Sequence, residues 1–312
     1  MAALVGRPRE QLVFTSGGTE ANAVGIQALA RVATARGLPP VVVTTALEHP
    51  SLAGAIRALG WEVQVAAVAA DGSLAFPDVT PGVVAAAWVN HELGSLIAPA
   101  LAAWGRSRGA LVHVDAVQGI AKRARGELDA DAIAISAHKL GGPQGVGAVI
   151  LALDDAPPID AGHQERGRRP GTENTLGIVG FGAAAGAVDV AAWPAITKLG
   201  DRLERGLVAL GGVTIHGAQM PRVGGTINAG FAGARGESIV IALDLAGIAT
   251  STGSACTSGS VQPSAVLLGL GLAVEQARSA VRFSLGRTTT ADDIDRTLSV
   301  LAAILPRARR HS

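Results

Sequence analysis

The feature that most narrows the fold of this chain is a rhythm. Short apolar runs rich in β-branched residues alternate with helical patterns, and run after run stops at a cluster of polar residues. Residues 11–14 read as a strand that ends in T-S-G-G-T-E, and a helical pattern follows over 19–36, stopped by Gly37. Residues 41–45 form a β-branched strand leading to Glu48, His49 and Pro50, with a helix after the proline. Residues 61–68 and 82–89 read as two more strands, the second opening into Asn90, His91 and Glu92. A helix over 99–109 precedes a strand over 110–114 that ends at Asp115, with Gln118 one turn into a helix start. Strands over 132–135 and 145–153 close the series. This alternation predicts a mostly parallel sheet with helices on both faces.

Ligands in such folds gather where strands end. Lys139 stands where the strand over 132–135 gives way to the Gly/Pro-rich turn S-A-H-K-L-G-G-P. A lysine there is either an ordinary loop residue or an amine desolvated enough to attack a carbonyl. The T-S-G-G-T-E turn aims backbone N–H groups and the positive end of a helix at one spot, which suits an anion; alternatively Thr19 is only the N-cap. Asp115 closes an apolar strand, a costly place for an unpaired carboxylate. It either caps the next helix or faces a cation. His49, at a strand-to-helix junction, is a packing residue or a site residue. The polar loop over 163–174, H-Q-E-R-G-R-R-P-G-T-E-N, is an exposed loop, a phosphate site or a subunit contact.

Beyond a helical pattern over 175–192, broken at Pro194, the spacing changes, and a division into domains 1–192 and 193–312 is expected. The second part reads as a helix over 196–210, strands over 213–216, 224–231 and 248–251, and a helix over 237–246 between them. Helices over 264–271 and 274–280 follow, then a strand over 281–285 carrying Arg282, and a last helix capped by Thr290 and running to about Ile304. Cys256, the only cysteine, lies in S-T-G-S-A-C-T-S-G-S at 251–260. One cysteine excludes an internal disulfide and a cysteine metal cage. Its small, polar neighbours favour a mobile, exposed thiol over inert core filler.

The 312 residues are 48% apolar, enough for a large core, and the net charge of +1 gives no global pull toward nucleic acid or an anionic membrane. No apolar run approaches a membrane span, and the start has no signal-peptide pattern, so a cytoplasmic protein with no metal site is expected.

Eight motifs in this order resemble the cysteine desulfurases of the NifS/IscS-like group, in the class V aminotransferase family of fold-type I pyridoxal phosphate enzymes. They are F-T-S-G-G-T-E at 14–20, L-E-H at 47–49, N-H-E-L-G at 90–94, H-V-D-A-V-Q at 113–118, S-A-H-K at 136–139, E-R-G-R-R-P-G-T-E-N at 165–174, S-T-G-S-A-C-T-S at 251–258 and V-R-F-S-L-G-R at 281–287. The resemblance implies a mostly parallel seven-stranded sheet with helices on both faces, plus a smaller C-terminal α+β domain with the cysteine loop. It implies that Lys139 holds pyridoxal phosphate covalently, that Asp115 pairs with the ring nitrogen, that His49 stacks on the ring and that Gln118 bonds its phenolic oxygen. Gly18, Thr19, Ser136 and His138 would hold the phosphate, with Thr172 reaching across from a second subunit of a homodimer. Arg282 would clamp the carboxylate of L-cysteine. Cys256 would take the sulfur as a persulfide, releasing L-alanine, and pass it to an acceptor protein for iron–sulfur cluster assembly or thiolation. Lys139 and His49 would move protons.

Two departures stand out. His91 replaces the usual asparagine before the glutamate of N-x-E, which makes His91 a cofactor-binding candidate with altered tuning and leaves Asn90 as a lesser, substrate-side candidate. The family's longer opening segment, rich in Tyr and Asp, is missing ahead of the first strand, and the chain has no tyrosine. Two other readings are a related lyase acting on selenocysteine and a cofactor-binding scaffold of weak activity.

Overall fold

A computed structural model describes residues 1–123, 128–153, 162–253 and 262–310. Cys256 lies outside the described residues. The chain divides into two compact units. The first comprises Met1–Val68, Leu74–Asn90 and Leu96–Val190; the second comprises Ala69–Ser73, His91–Ser95 and Ala191–Ser312.

The first unit contains, in chain order, strand β1 (Leu12–Thr15), helix α1 (Gly18–Ala35), β2 (Val41–Thr45), α2 (Pro50–Ala58), β3 (Glu62–Val68), β4 (Leu74–Ala75) and β5 (Val83–Ala87). It continues with α3 (Ala98–Ser107), β6 (Leu111–Asp115), β7 (Ala132–Ser136), β8 (Gly147–Leu151) and α4 (Thr175–Gly186). Its eight strands run in the order β1-β8-β7-β6-β5-β2-β3-β4. β3, β2, β5, β6 and β7 are mutually parallel, and β1, β8 and β4 are antiparallel to their neighbours. The eighth strand is the two-residue β4 at the edge, too short to show as an apolar run. β5 to β8 are buried along their whole length, which is why they read as unbroken Val/Ala/Ile runs rather than alternating ones. Ile26, Leu29 and Val32 of α1 pack with Val13, Val149 and Leu151 of the sheet.

The second unit contains α5 (Trp193–Ala209), β9 (Val213–His216), β10 (Thr226–Phe231), α6 (Gly236–Leu245), α7 (Ala265–Gly269), α8 (Val274–Arg278), β11 (Ala280–Ser284) and α9 (Ala291–Ala308). Its three strands are antiparallel, in the order β11-β10-β9. Ile227, Ala229, Phe231, Val281 and Phe283 share one face and pack on Leu203, Leu207, Ile239, Leu243 and Leu301 of the helices.

Several local expectations fail for physical reasons. Pro194 does not break a helix: it occupies the first turn of α5, where its missing N–H leaves no bond unmade. Residues 248–251 form no strand; Ser251 makes a single bridge to Arg282. Residues 117–120 are a turn, so Gln118 is not in a helix. The N-cap of α1 is Gly17, not Thr19. α9 runs on to Ala308 with Pro306 inside it. Thr290 does cap α9, its hydroxyl accepting from the Asp293 N–H at 3.2 Å.

Candidate active site

Parallel strands β2, β5, β6 and β7 are consecutive in the sheet, so their carboxyl ends share one edge. Beyond those ends come His49, Asn90, Asp115 and the Ser136–Lys139 stretch. Asp115 is the last residue of β6, and its partners across the ladder are Ala87 and Ala134. Two methyl-sized neighbours leave room beside the carboxylate. Asp115 is only 6% exposed. Its Oδ1 accepts from the Val117 N–H at 3.0 Å and its Oδ2 from the Asn22 amide at 2.8 Å. Burial raises its pKa; these two donors, and the nearby His49, pull the other way.

His49 is the N-cap of α2, where its Nδ1 accepts from the Ser51 N–H at 3.1 Å. The ring is partly open to solvent, yet the protein around it holds its pKa below the usual imidazole value, with Asp115 opposing and Lys139 reinforcing the shift. His49 thus feels the charges of both Asp115 and Lys139. Glu48 is buried beside them, accepting from Thr45 Oγ1 at 2.6 Å and from the Ala87 N–H at 2.7 Å. Burial pushes its pKa up to about 7.

The amino end of α1 meets the end of β7. A β-carbon on Gly18 would lie 2.8 Å from Val117 Cγ2 and 3.4 Å from the Ser136 β-carbon. Only glycine permits that approach. Ser136 Oγ lies 2.9 Å from His138 Nδ1. Burial, and then Lys139, lower the His138 pKa. α1 has no side-chain cap, so its first N–H groups could, together with the exposed Thr19, Ser136 and His138, donate to an anion.

Of the two readings of Lys139, the exposed loop residue is the one this chain by itself shows. β7 ends at Ser136, and a single 3-10 turn over 137–140, with only Ala137 buried, carries His138 and Lys139 out to exposed positions. Gln118 Oε1 accepts from Lys122 Nζ at 3.2 Å, and Asn90, 2% exposed, donates to the Leu47 carbonyl at 2.7 Å. Asn90 therefore ties β5 to the loop that carries His49. Thr172 is exposed and lines a cavity of about 100 Å³ with Thr15, Ser16, Glu165 and Arg169.

His91 and Arg282 belong to the second unit. Arg282 Nη1 donates to the His91 carbonyl at 3.0 Å, so the His91 backbone meets the guanidinium. The backbone of Arg282 pairs with Ser251, at the start of the cysteine segment. Glu92 is buried and accepts from Ser264 Oγ at 2.6 Å. A β-carbon on Gly253 would sit 2.4 Å from Glu92 Oε2. One carboxylate therefore touches the chain on both sides of residues 254–261. Burial raises its pKa against Ser264 and Arg282.

Sequence reasoning missed Asn22, Ser51 and His113. Asn22 is fully buried, and its Nδ2 donates to Asp115 and, at 3.0 Å, to Ser51 Oγ. Its Oδ1 lies 2.9 Å from His113 Nε2. The available signal was helical phase: Asn22 shares the apolar face of α1 with Ile26 and Leu29.

A sheet edge armed in this way defines an α/β enzyme with its site at the carboxyl ends of parallel strands. The chain belongs to the aminotransferase class-V family, whose model matches residues 1–297. It is 41% identical to a cysteine desulfurase of Bradyrhizobium diazoefficiens over 97% of this chain and 80% of the relative. It is 36% identical to a cysteine desulfurase of a Nostoc species over 99% of this chain and 81% of the relative. Among solved structures, a NifS-like protein matches with a TM-score of 0.86 at 27% identity, covering 98% of this chain and 85% of that one. DndA from Streptomyces lividans matches at 0.74 and 34%, covering 91% and 85%.

Proposed function

We propose that the chain is a cysteine desulfurase that uses pyridoxal 5′-phosphate. The observation that carries this reading is that Asp115 and Lys139, from the ends of neighbouring strands at one sheet edge, both act electrostatically on His49. The residues fit the cofactor. Asp115 is a buried carboxylate whose hydrogen-bond donors, Asn22 and the Val117 N–H, are both neutral, which suits a cationic ring N–H. Gly18, Ser136, His138 and the uncapped start of α1 suit a phosphate. Bound there, pyridoxal phosphate supplies an electron sink for the bonds of an amino acid.

The chain's own residues do the rest. Lys139 holds the cofactor and moves protons, and Arg282 takes the carboxylate of L-cysteine with a bidentate fork. The carbon–sulfur bond of L-cysteine breaks and a sulfur–sulfur bond forms on Cys256; the Cys256 thiol proton is balanced by the new C–H of L-alanine. An acceptor protein, in iron–sulfur cluster assembly or thiolation, and a cytoplasmic setting belong to the same reading. So does a homodimer: Leu176 and Val179 of α4 are 89% and 68% exposed, an apolar face close in sequence to Thr172.

The test is incubation with L-cysteine and pyridoxal phosphate, reading alanine, sulfide and the yellow colour of the bound cofactor. Lys139→Ala should lose colour and turnover together. Cys256→Ser should keep the colour and lose alanine formation. Wild-type turnover in Cys256→Ser would overturn the reading, and with L-selenocysteine as the preferred substrate would favour a selenocysteine lyase.

A further inference from the structure

Ser51 and His113 have no part in the roles assigned above, yet Asn22 and Ser51 link Asp115 to His49 by hydrogen bonds, and His113 bonds to Asn22 from the side. Each link has a direction that chemistry dictates. The Asn22 amide presents Nδ2 to Asp115 Oδ2 at 2.8 Å. Turning the amide over would set its oxygen against an ionised carboxylate, so an ionised Asp115 fixes the orientation. The second Nδ2 hydrogen then goes to Ser51 Oγ at 3.0 Å, and Oδ1 must accept from His113 Nε2 at 2.9 Å. His113 therefore carries its proton on Nε2; burial holds its pKa down to about 3, so it stays neutral.

Ser51 Oγ already accepts from Asn22, so its own proton is free to go to the next atom in line. That atom is His49 Nδ1, 2.8 Å away. The Ser51 backbone N–H points at the same nitrogen from 3.1 Å. Two donors converging on one ring nitrogen leave no place for a proton on it. We propose that Ser51, oriented through Asn22, is a positioning residue that locks His49 in the Nε2–H tautomer, so that the ring enters the reaction as a hydrogen-bond donor and not as the first proton acceptor.

The tautomer is a property of the chain; its consequence for chemistry rests on the proposed function. With Nδ1 committed and Nε2 protonated, the resting ring cannot take a proton from a bound thiol or amine. Lys139 is left as the first acceptor. Asp115 and Lys139 are the charged groups that act on the ring, in opposite directions. Gly25 makes the far end of the chain possible, because a β-carbon there would lie 2.6 Å from His113 Cε1.

The experiment is nitrogen NMR of the protein labelled in its histidine rings, without cofactor, with His49→Gln to assign the signal. The expected result is an unprotonated Nδ1 and a protonated Nε2 at His49. A proton on Nδ1 overturns the proposal. Ser51→Ala should raise the His49 titration midpoint by roughly half to one pH unit, the worth of one hydrogen bond to the neutral ring. Ser51→Thr should restore it, and an unchanged midpoint in Ser51→Ala overturns the hydroxyl's role. Asn22→Ala should move the midpoint in the same direction by less, and should add nothing in a Ser51→Ala background. An added shift in that double variant overturns the relay. In the loaded enzyme the acidic limb of kcat/KM should follow the NMR midpoint. A protein that makes no alanine but shows the Nε2–H signal would sink the desulfurase reading and leave the tautomer standing.

Discussion

Asn22 and Asn228 are both fully buried asparagines, one in each unit, and they live in opposite circumstances. Asn22 uses both amide hydrogens and its oxygen, on Asp115, Ser51 and His113. Asn228 sits in the middle of β10, opposite His216 on one side and Arg282 on the other, and neither Nδ2 nor Oδ1 meets a partner among the described residues. His216 Nε2 and Arg282 Nε are in the same condition. A buried amide with every bond made holds its surroundings in one arrangement; one with none made costs stability and answers to something other than stability. The first unit has a polar set bound to itself. The second has a polar rung across its sheet, His216–Asn228–Arg282, which includes the arginine assigned to the substrate.

The largest test of this contrast is Asn22→Leu. It strands a buried carboxylate oxygen and a histidine N–H together, and should lower the unfolding free energy in urea by about 3–5 kcal/mol. Next is Glu48. Its pKa rises on folding from 4.5 to about 7, so below pH 4.5 both states are protonated. Between the two values the unfolded chain has already lost its proton and the folded one has not. Stability should therefore fall from about pH 4.5 to about pH 7, by roughly 3 kcal/mol. Glu48→Gln should flatten that segment of the stability–pH curve, and an unaltered slope would show that burial does not hold Glu48 protonated. Asn228→Leu, by contrast, should change urea stability by less than about 1 kcal/mol. A loss as large as that of Asn22→Leu would erase the difference between the two asparagines. Smallest of all is the half-exposed pair Arg202–Asp295 at 2.5 Å on the second unit. A double-mutant cycle should assign it no more than about 0.5 kcal/mol.

The legible parts of the sequence were those where a long apolar run meets a sudden change. β2, β5, β6 and β7 are buried or nearly so, and the polar residues that stop them announce themselves: His49, Asn90, Asp115 and Ser136. Asn22 gave no such contrast. It is one polar residue among alanines, and only its place in the helical phase marks it as buried. His113 was visible as a letter in an apolar strand but not as a partner of α1. Pro194 misled because proline ends helices and also begins them, and the local sequence does not separate the two. Residues 248–251 had strand-like composition but found one bridging neighbour, which is a matter of tertiary position and not of propensity. Lys139 was legible by place and not by exposure, since a 3-10 turn projects it beyond the sheet.

The contact between Gly25 and His113 has a meaning for how such a chain can drift. The imidazole fills the volume where any other residue at position 25 would start its side chain. Neither position can accept a change by itself: a methyl at 25 evicts the ring, and a smaller residue at 113 opens a hole under the helix. Substitutions there should travel in pairs, since the contact between Gly25, three residues from Asn22, and His113, two residues from Asp115, sets the geometry of both.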